Sequence, residues 1–202
     1  MSASALHSVS DVVVSVCWGV VVVVWVAGAV YNARRGPDVQ RRSRANSLWI
    51  VCAALVWIVF RLVPDHDWHA VSTRASAVRI VGLAVLVLFT AFTIWARVAL
   101  GTMWSTQAVT KTHHQLRTDG PYAITRHPIY TGLVGMLLGT ALAVGLGVWT
   151  MLFVLGLIVA EVKIHAEERL LGEVFPVAYA DYRRKVPQLV PGLRFGWLRR
   201  RG

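Results

Sequence analysis

Residues 114–132 read H-Q-L-R-T-D-G-P-Y-A-I-T-R-H-P-I-Y-T-G. The stretch lies between two strongly apolar segments, 80–96 and 129–144. Polar groups this close to a bilayer span are expensive to keep unless something uses them. Arg126, His127 and Tyr130 fall where the second apolar segment begins. That placement points to a polar site at the surface of a membrane, open to both water and lipid.

Working outward, the 202 residues are 56% hydrophobic and 15% charged, with a mean hydropathy of +0.56. The apolar runs are 12–31, 48–63, 80–96, 129–144 and 149–162. Upright crossing of the hydrocarbon core takes about 20 residues, with a range of about 17–25. The fold class expected is an all-α integral membrane protein, with about five transmembrane helices and a cytoplasmic C-terminal helical segment. A soluble helical bundle would not carry so many long, uniformly apolar runs. The last two runs are short and are split only at 145–147, so they read as a tight helical hairpin. Whether that hairpin reaches the far leaflet stays open at this level.

Basic residues set the expected orientation. Arg34, Arg35, Arg41, Arg42 and Arg44 follow the first run, and Lys111, Arg117 and Arg126 follow the third. Arg183, Arg184, Lys185, Arg199, Arg200 and Arg201 lie in the tail. The N-terminus is expected outside, with the C-terminus and the site in the cytoplasm. The net charge of +11 then reflects topology and anionic headgroups. Nucleic acid is not an expected partner, because no soluble face interleaves the cations with aromatics. Cys17 and Cys52 sit inside the first two runs near opposite ends, so neither a disulfide nor a Cys-based metal site is implied. The first run lacks a basic leader and a small-residue cleavage site, and reads as a retained helix.

Residues 1–100 read as a three-helix transmembrane scaffold with little chemistry. Residues 101–202 read as the hairpin plus cofactor-binding and catalytic segments, one integrated domain. Asp119-Gly120-Pro121 signals a turn. Pro128 suits the first turn of a helix, where its missing N–H costs nothing. Gly132, Gly135 and Gly139 make a face that lets a helix or a ligand approach the backbone. The last apolar run continues in helical register through Glu161, Lys163, His165, Glu167 and Glu168. Pro176 closes it, and 177–184 reads as a short amphipathic helix.

Two polar clusters result. His113, His114, Thr118, Tyr122, Arg126, His127 and Tyr130 precede the hairpin, while Glu161, His165, Glu167 and Glu168 follow it. The hairpin's two feet meet at one membrane surface, so the clusters are expected side by side. Arg126 can fork onto a carboxylate, a glutamate can hold an ammonium, and Tyr122 and Tyr130 can cover a ring or a sulfonium. S-adenosylmethionine needs such a set. Metal binding competes, but no tight ligand spacing such as H-E-x-x-H is present, and no metal is expected. A salt-bridge cluster that merely anchors helix ends is the third reading.

The order of these elements resembles the signature of the isoprenylcysteine carboxyl methyltransferase family. That pattern runs His-x-Leu-x-Thr-x-Gly-x-Tyr and Arg-His-Pro-x-Tyr. After a hydrophobic hairpin come Glu-Glu-x-x-Leu, then Tyr-x-x-Tyr before Val-Pro. Here these are residues 114–130, Glu167-Glu168-Arg169-Leu170-Leu171, Tyr179-Ala180-Asp181-Tyr182 and Val186-Pro187. The resemblance covers roughly residues 110–190. It implies an integral-membrane methyltransferase using S-adenosyl-L-methionine and releasing S-adenosyl-L-homocysteine. It also implies a lateral opening for a lipophilic acceptor.

Carried over, His114, Leu116, Gly120, Tyr122, His127, Pro128 and Tyr130 would line the cofactor. Glu167 or Glu168 would hold its amino group, and Arg126 would orient an acceptor carboxylate. There are departures. Phe175-Pro176 stands where the family has Phe-Gly, and Glu161, Lys163 and His165 stand where eukaryotic members carry arginines. The resemblance therefore implies a prokaryotic plasma-membrane member, with a small isoprenoid or lipid acid as acceptor and O-methylation as the reaction. A phospholipid or amine N-methyltransferase, a sterol-reductase-like NADPH enzyme and a non-catalytic lipid-binding membrane protein are the alternatives. An amine acceptor would need a base such as His127, His165 or a glutamate.

Overall fold

The computed structural model describes residues 3–35, 39–42, 75–101, 109–111 and 116–190. The expected second span, Cys52, His113, His114 and the tail beyond 190 lie outside the described residues. The elements in chain order are α1 (Ala3–Arg35), β1 (Val39–Arg42), α2 (Ser76–Leu100), β2 (Val109–Lys111), α3 (Pro121–Ile124), α4 (Pro128–Val144), α5 (Gly147–Val174) and α6 (Pro176–Lys185).

Three segments are long and apolar enough to cross a membrane: Ser8–Asn32, Ser76–Leu100 and Gly147–Val174. The helix Pro128–Val144 is shorter. The fold is that of an all-α integral membrane protein, with one addition. β1 and β2 pair antiparallel, with an irregularity between Val39 and Arg41. Because these strands follow α1 and α2, both helices end on the same side of the membrane. The apolar part of the last run is short, but its helix continues past that part, as the register through residues 161–168 predicts. α5 has 28 residues, or about 42 Å at 1.5 Å per residue, which exceeds the hydrocarbon core of about 30 Å. Only the two residues 145 and 146 separate it from α4.

Close backbone contact sets the helix directions. A Cβ added to Gly132 or Gly135 would run into Thr93 and Phe89 of α2. One on Gly139 would lie 2.5 Å from the Leu86 amide nitrogen and 2.9 Å from the Gly82 carbonyl oxygen. In return, a Cβ on Gly82 would meet the Ala143 amide nitrogen at 2.5 Å. Contact partners thus fall along α4 as they rise along α2, so the two helices run antiparallel. The glycines of α4 serve helix packing. α1 runs alongside α2, with Cys17 and Val21 against Leu86 and Met136. The Trp18 indole donates to Thr140 Oγ1 at 3.2 Å. The other face of α1, including Val12, Val16, Val23 and Val26, is exposed, as a lipid-facing helix requires.

This packing gives a contrast to measure. Gly139→Ala forces a methyl against backbone that cannot yield, and overpacking of that kind costs about 1–3 kcal/mol. Gly19 in α1 has open space around its Cβ direction, so Gly19→Ala is expected to be neutral or stabilising. Thermal melts of the two purified variants in one detergent should separate by several degrees, with Gly139→Ala the lower.

Candidate functional site

The site is built where α4 starts and α5 ends. Gly120 has φ +59°, a conformation that favours glycine, and its Cβ direction points at the Trp95 ring 3.8 Å away. This turn leads into α3, which drives Tyr122 inward. The Tyr122 ring is buried, and its hydroxyl lies 3.5 Å from the Ala96 carbonyl oxygen at the foot of α2. Tyr182 of α6 donates to the Tyr122 carbonyl at 2.6 Å. Thr125 ends α3 in an extended conformation. Pro128 then starts α4, fully buried at the first turn.

Between those helices the chain is extended and pairs with a second extended segment that follows α6. The Arg126 amide donates to the Pro187 carbonyl at 2.8 Å, and the His127 amide to the Gln188 carbonyl at 3.2 Å. The Thr125 hydroxyl also donates to Gln188, and the Thr131 hydroxyl reaches the Leu189 carbonyl at 2.7 Å. Leu189 is buried with Ala160 and Ile164 of α5 against Tyr130 and Val134. Residues 186–189 therefore strap the feet of α4 and α5 together.

The carboxylates of α5 meet this strap and the start of α4. Arg126 donates from Nε at 3.0 Å and Nη2 at 2.8 Å to Glu168 Oε1, and from Nη1 to the Val186 carbonyl at 2.7 Å. The Arg126 and Glu168 side chains are only 7% and 13% exposed. His127 sits between two carboxylates, Nε2 at 3.3 Å from Glu168 Oε1 and Nδ1 at 3.6 Å from Glu167 Oε2. The Tyr130 hydroxyl donates to Glu167 Oε1 at 2.6 Å. Glu167 is 27% exposed, the more open of the two neighbouring glutamates. About two turns earlier on α5, Glu161 Oε2 accepts from Gln188 Nε2 at 2.9 Å. His165 is exposed beside Glu161.

Burial alone would lower the His127 pKa, but hydrogen bonds and charge from Glu167 and Glu168 outweigh it and hold the value above the ordinary one. Burial, followed by the charge of Glu167, pushes the Tyr122 hydroxyl up. Burial and then Glu168 do the same to Tyr179. The Tyr179 hydroxyl is buried and close to Glu168, with no hydrogen bond of good geometry among the described residues. The tyrosines at this site stay protonated at neutral pH.

Of the residues singled out in the sequence, the structure brings together Arg126, His127, Tyr130, Glu167 and Glu168. Tyr122 lies within electrostatic reach of Glu167 and Tyr130. Gly120 shapes the turn and Pro128 the helix start. Leu116 is half-buried in the segment before the turn. Sequence reasoning missed Thr125, Thr131, Gln188 and the foot of α2. The threonines Thr90 and Thr93 and the arginine Arg97, buried in an otherwise apolar helix, were the available signal for α2.

Residues 80–173 match the sequence model of the isoprenylcysteine carboxyl methyltransferase family. A protein-S-isoprenylcysteine O-methyltransferase of Schizosaccharomyces pombe is 43% identical over 39% of this chain and 34% of its own length. A nickel-cobalt-cadmium resistance protein of Alcaligenes xylosoxydans is 29% identical over 72% of this chain and 64% of its own length. The chain thus spans less than two thirds of either relative. The solved structure of a eukaryotic intramembrane Ras methyltransferase superposes with a TM-score of 0.57. It covers 75% of this chain and 55% of that one at 22% identity, a likeness of fold.

Two outcomes follow from the ion-paired cluster. Arg126→Ala strands a mostly buried carboxylate, and breaking a buried pair from one side typically costs about 3–5 kcal/mol. A drop in melting temperature larger than that of Glu167→Gln is expected. The second concerns pH. A histidine whose folded pKa is raised stabilises the fold fully below its unfolded value of about 6.5, and loses that contribution as pH rises through the folded value. The melting temperature should fall from mildly acidic toward alkaline pH, and His127→Asn should flatten that part of the profile.

Proposed function

We propose, from the match of residues 80–173 to the isoprenylcysteine carboxyl methyltransferase family model, that the chain is an integral-membrane S-adenosylmethionine-dependent methyltransferase. The acceptor is a lipophilic molecule that enters from the bilayer, and the group methylated is a carboxylate. The cytoplasmic side is the one that carries the site, by the bias of basic residues. The observation that carries this reading is the joining of Tyr122, His127, Tyr130 and Glu167 at the meeting point of three helix feet. It is a site with a partly open carboxylate, protonated ring hydroxyls and a membrane at its side.

The donor set fits the cofactor. Glu167 takes the Tyr130 hydroxyl on Oε1 and faces His127 Nδ1 at 3.6 Å with Oε2, and its partial exposure leaves lone pairs that suit an ammonium. Glu168 is taken up by Arg126 and His127, so Glu167 is the better holder of the amino group. When bound, the cofactor supplies an electrophilic methyl group. A carboxylate acceptor is already ionised at neutral pH, so the protein need supply no base. Its work is positioning and exclusion of water. Tyr122 and Tyr130 line the site, and the strap 186–189 ties the feet of α4 and α5 beside it.

Arg126 takes a revised role in this proposal. All three of its side-chain nitrogens have partners, so it braces the site and is not free to reach an acceptor. His127 orients the two glutamates from between them, with neither ring nitrogen turned to an acceptor.

Calorimetry on the detergent-purified protein tests the reading. Binding of S-adenosylmethionine and its demethylated product is expected. Glu167→Ala should weaken it by about tenfold to a hundredfold, the effect of losing a charge-assisted hydrogen bond of roughly 1.5–3 kcal/mol. Glu168→Ala should act mainly on stability. A ligand panel in which NADPH, and not the methyl donor, raises the melting temperature would overturn the proposal. Radiolabelled methyl transfer over a lipid extract, with base-labile product, would identify the ester.

A further inference from the structure

The helix α6 leaves α5 through a sharp bend at Phe175 and Pro176, so it begins where a membrane-crossing helix ends. Its Tyr179 and Tyr182 are buried against the site. At 100° per residue Val177, Asp181 and Arg184 share the opposite face, with Lys185 at its flank. That face is unusual for a helix in open water. Val177 is 75% exposed, and the side chains of Arg183 and Arg184 are 58% and 74% exposed. Lys185 is exposed as well. Asp181 is the acidic residue of this helix, and it is paired with Arg184. Val190, just past the helix, is also exposed. Exposed valines beside three consecutive cations, at the end of a bilayer span, match the layer where acyl chains give way to phosphates.

We propose that the outer face of α6 rests on the anionic headgroups of the bilayer that α5 crosses. Val177 enters the upper acyl region, while Arg184 and Lys185 bind headgroup phosphates. Each basic residue near an anionic surface adds to the attraction, and salt screens it within a Debye length of about 8–10 Å. The contact bears on the site through Arg183. Its Nε lies 3.9 Å from Glu168 Oε2, and its carbonyl accepts from Arg126 Nη1 at 3.3 Å. A lipid-docked α6 therefore holds the brace of the site from outside. This inference goes beyond the methyltransferase reading and stands or falls without it.

The experiment uses the full chain in lipid nanodiscs, with Cys17 and Cys52 replaced by alanine and a bimane label on Val177→Cys. In discs holding roughly a third anionic phosphatidylglycerol, the label should emit blue-shifted, in an apolar setting. In purely zwitterionic discs it should report water. High salt should reverse the blue shift, and so should the double variant Arg184→Gln, Lys185→Gln. Equal emission in both lipids, or a shift indifferent to salt and to the double variant, would overturn the proposal. A blue shift produced in zwitterionic discs by millimolar inorganic phosphate would also overturn it, by making the surface a free-anion site. Methyl transfer is not part of any readout.

Discussion

A guanidinium and a carboxylate meet with little access to water at the polar end of the helices, and four segments depend on their meeting. Arg126 comes from the start of α4 and Glu168 from the end of α5. Arg126 also holds the carbonyls of Val186 and Arg183, which fix the strap and α6. Each charge would be costly alone in such a place. Together, with His127 against the same oxygen, they satisfy one another while leaving Glu167 partly open. The site therefore separates two carboxylates that are neighbours in sequence. One is spent on cohesion, and the other stays partly exposed.

That cluster could not form unless the helices beneath it stood close. The α2–α4 contact supplies the closeness, because glycine on both helices removes the side chains that would hold the axes apart. In a lipid setting no hydrophobic driving force favours one apolar helix surface over another. Association rests on close packing and a few hydrogen bonds. Trp18 to Thr140, and Thr93 beside Met136, are such bonds inside the bundle. The foot of α2 then stands against the turn at Gly120, where Trp95 and the Ala96 carbonyl help to wall the site.

Much of this was legible in the chain. Pro128 marked the start of α4. The polar residues that continue α5 past its apolar run could only face the start of α4, because residues 145 and 146 alone join the two helices. The pairing of 126–127 with 187–188 was not legible, since it uses backbone groups that every residue offers. The partners of Arg126 in Glu168 and the Val186 carbonyl were not legible either, because residue type announces what a side chain can bind, not what already binds it. The first hundred residues were read as scaffold with little chemistry, since α2 reaches the site through a backbone carbonyl and the edge of a tryptophan. The full length of α5 was legible as well, because the polar residues after its apolar run keep the same helical register until Pro176.

The spacing of the brace along the chain bears on how the protein is made. Arg126 precedes Glu168 by 42 residues and Val186 by 60. Synthesis runs from the N-terminus, so α4 enters the bilayer with a cation at its foot whose partners have not yet been made. The two-residue turn commits α4 and α5 to enter as one hairpin, which carries Glu168 to Arg126 as soon as α5 is complete. The strap arrives last and finds its backbone partners waiting in extended form. A chain interrupted between 168 and 186 would keep its ion pair and lose its clasp. It would present quality-control proteases with a loosened end at the membrane surface, where such enzymes work.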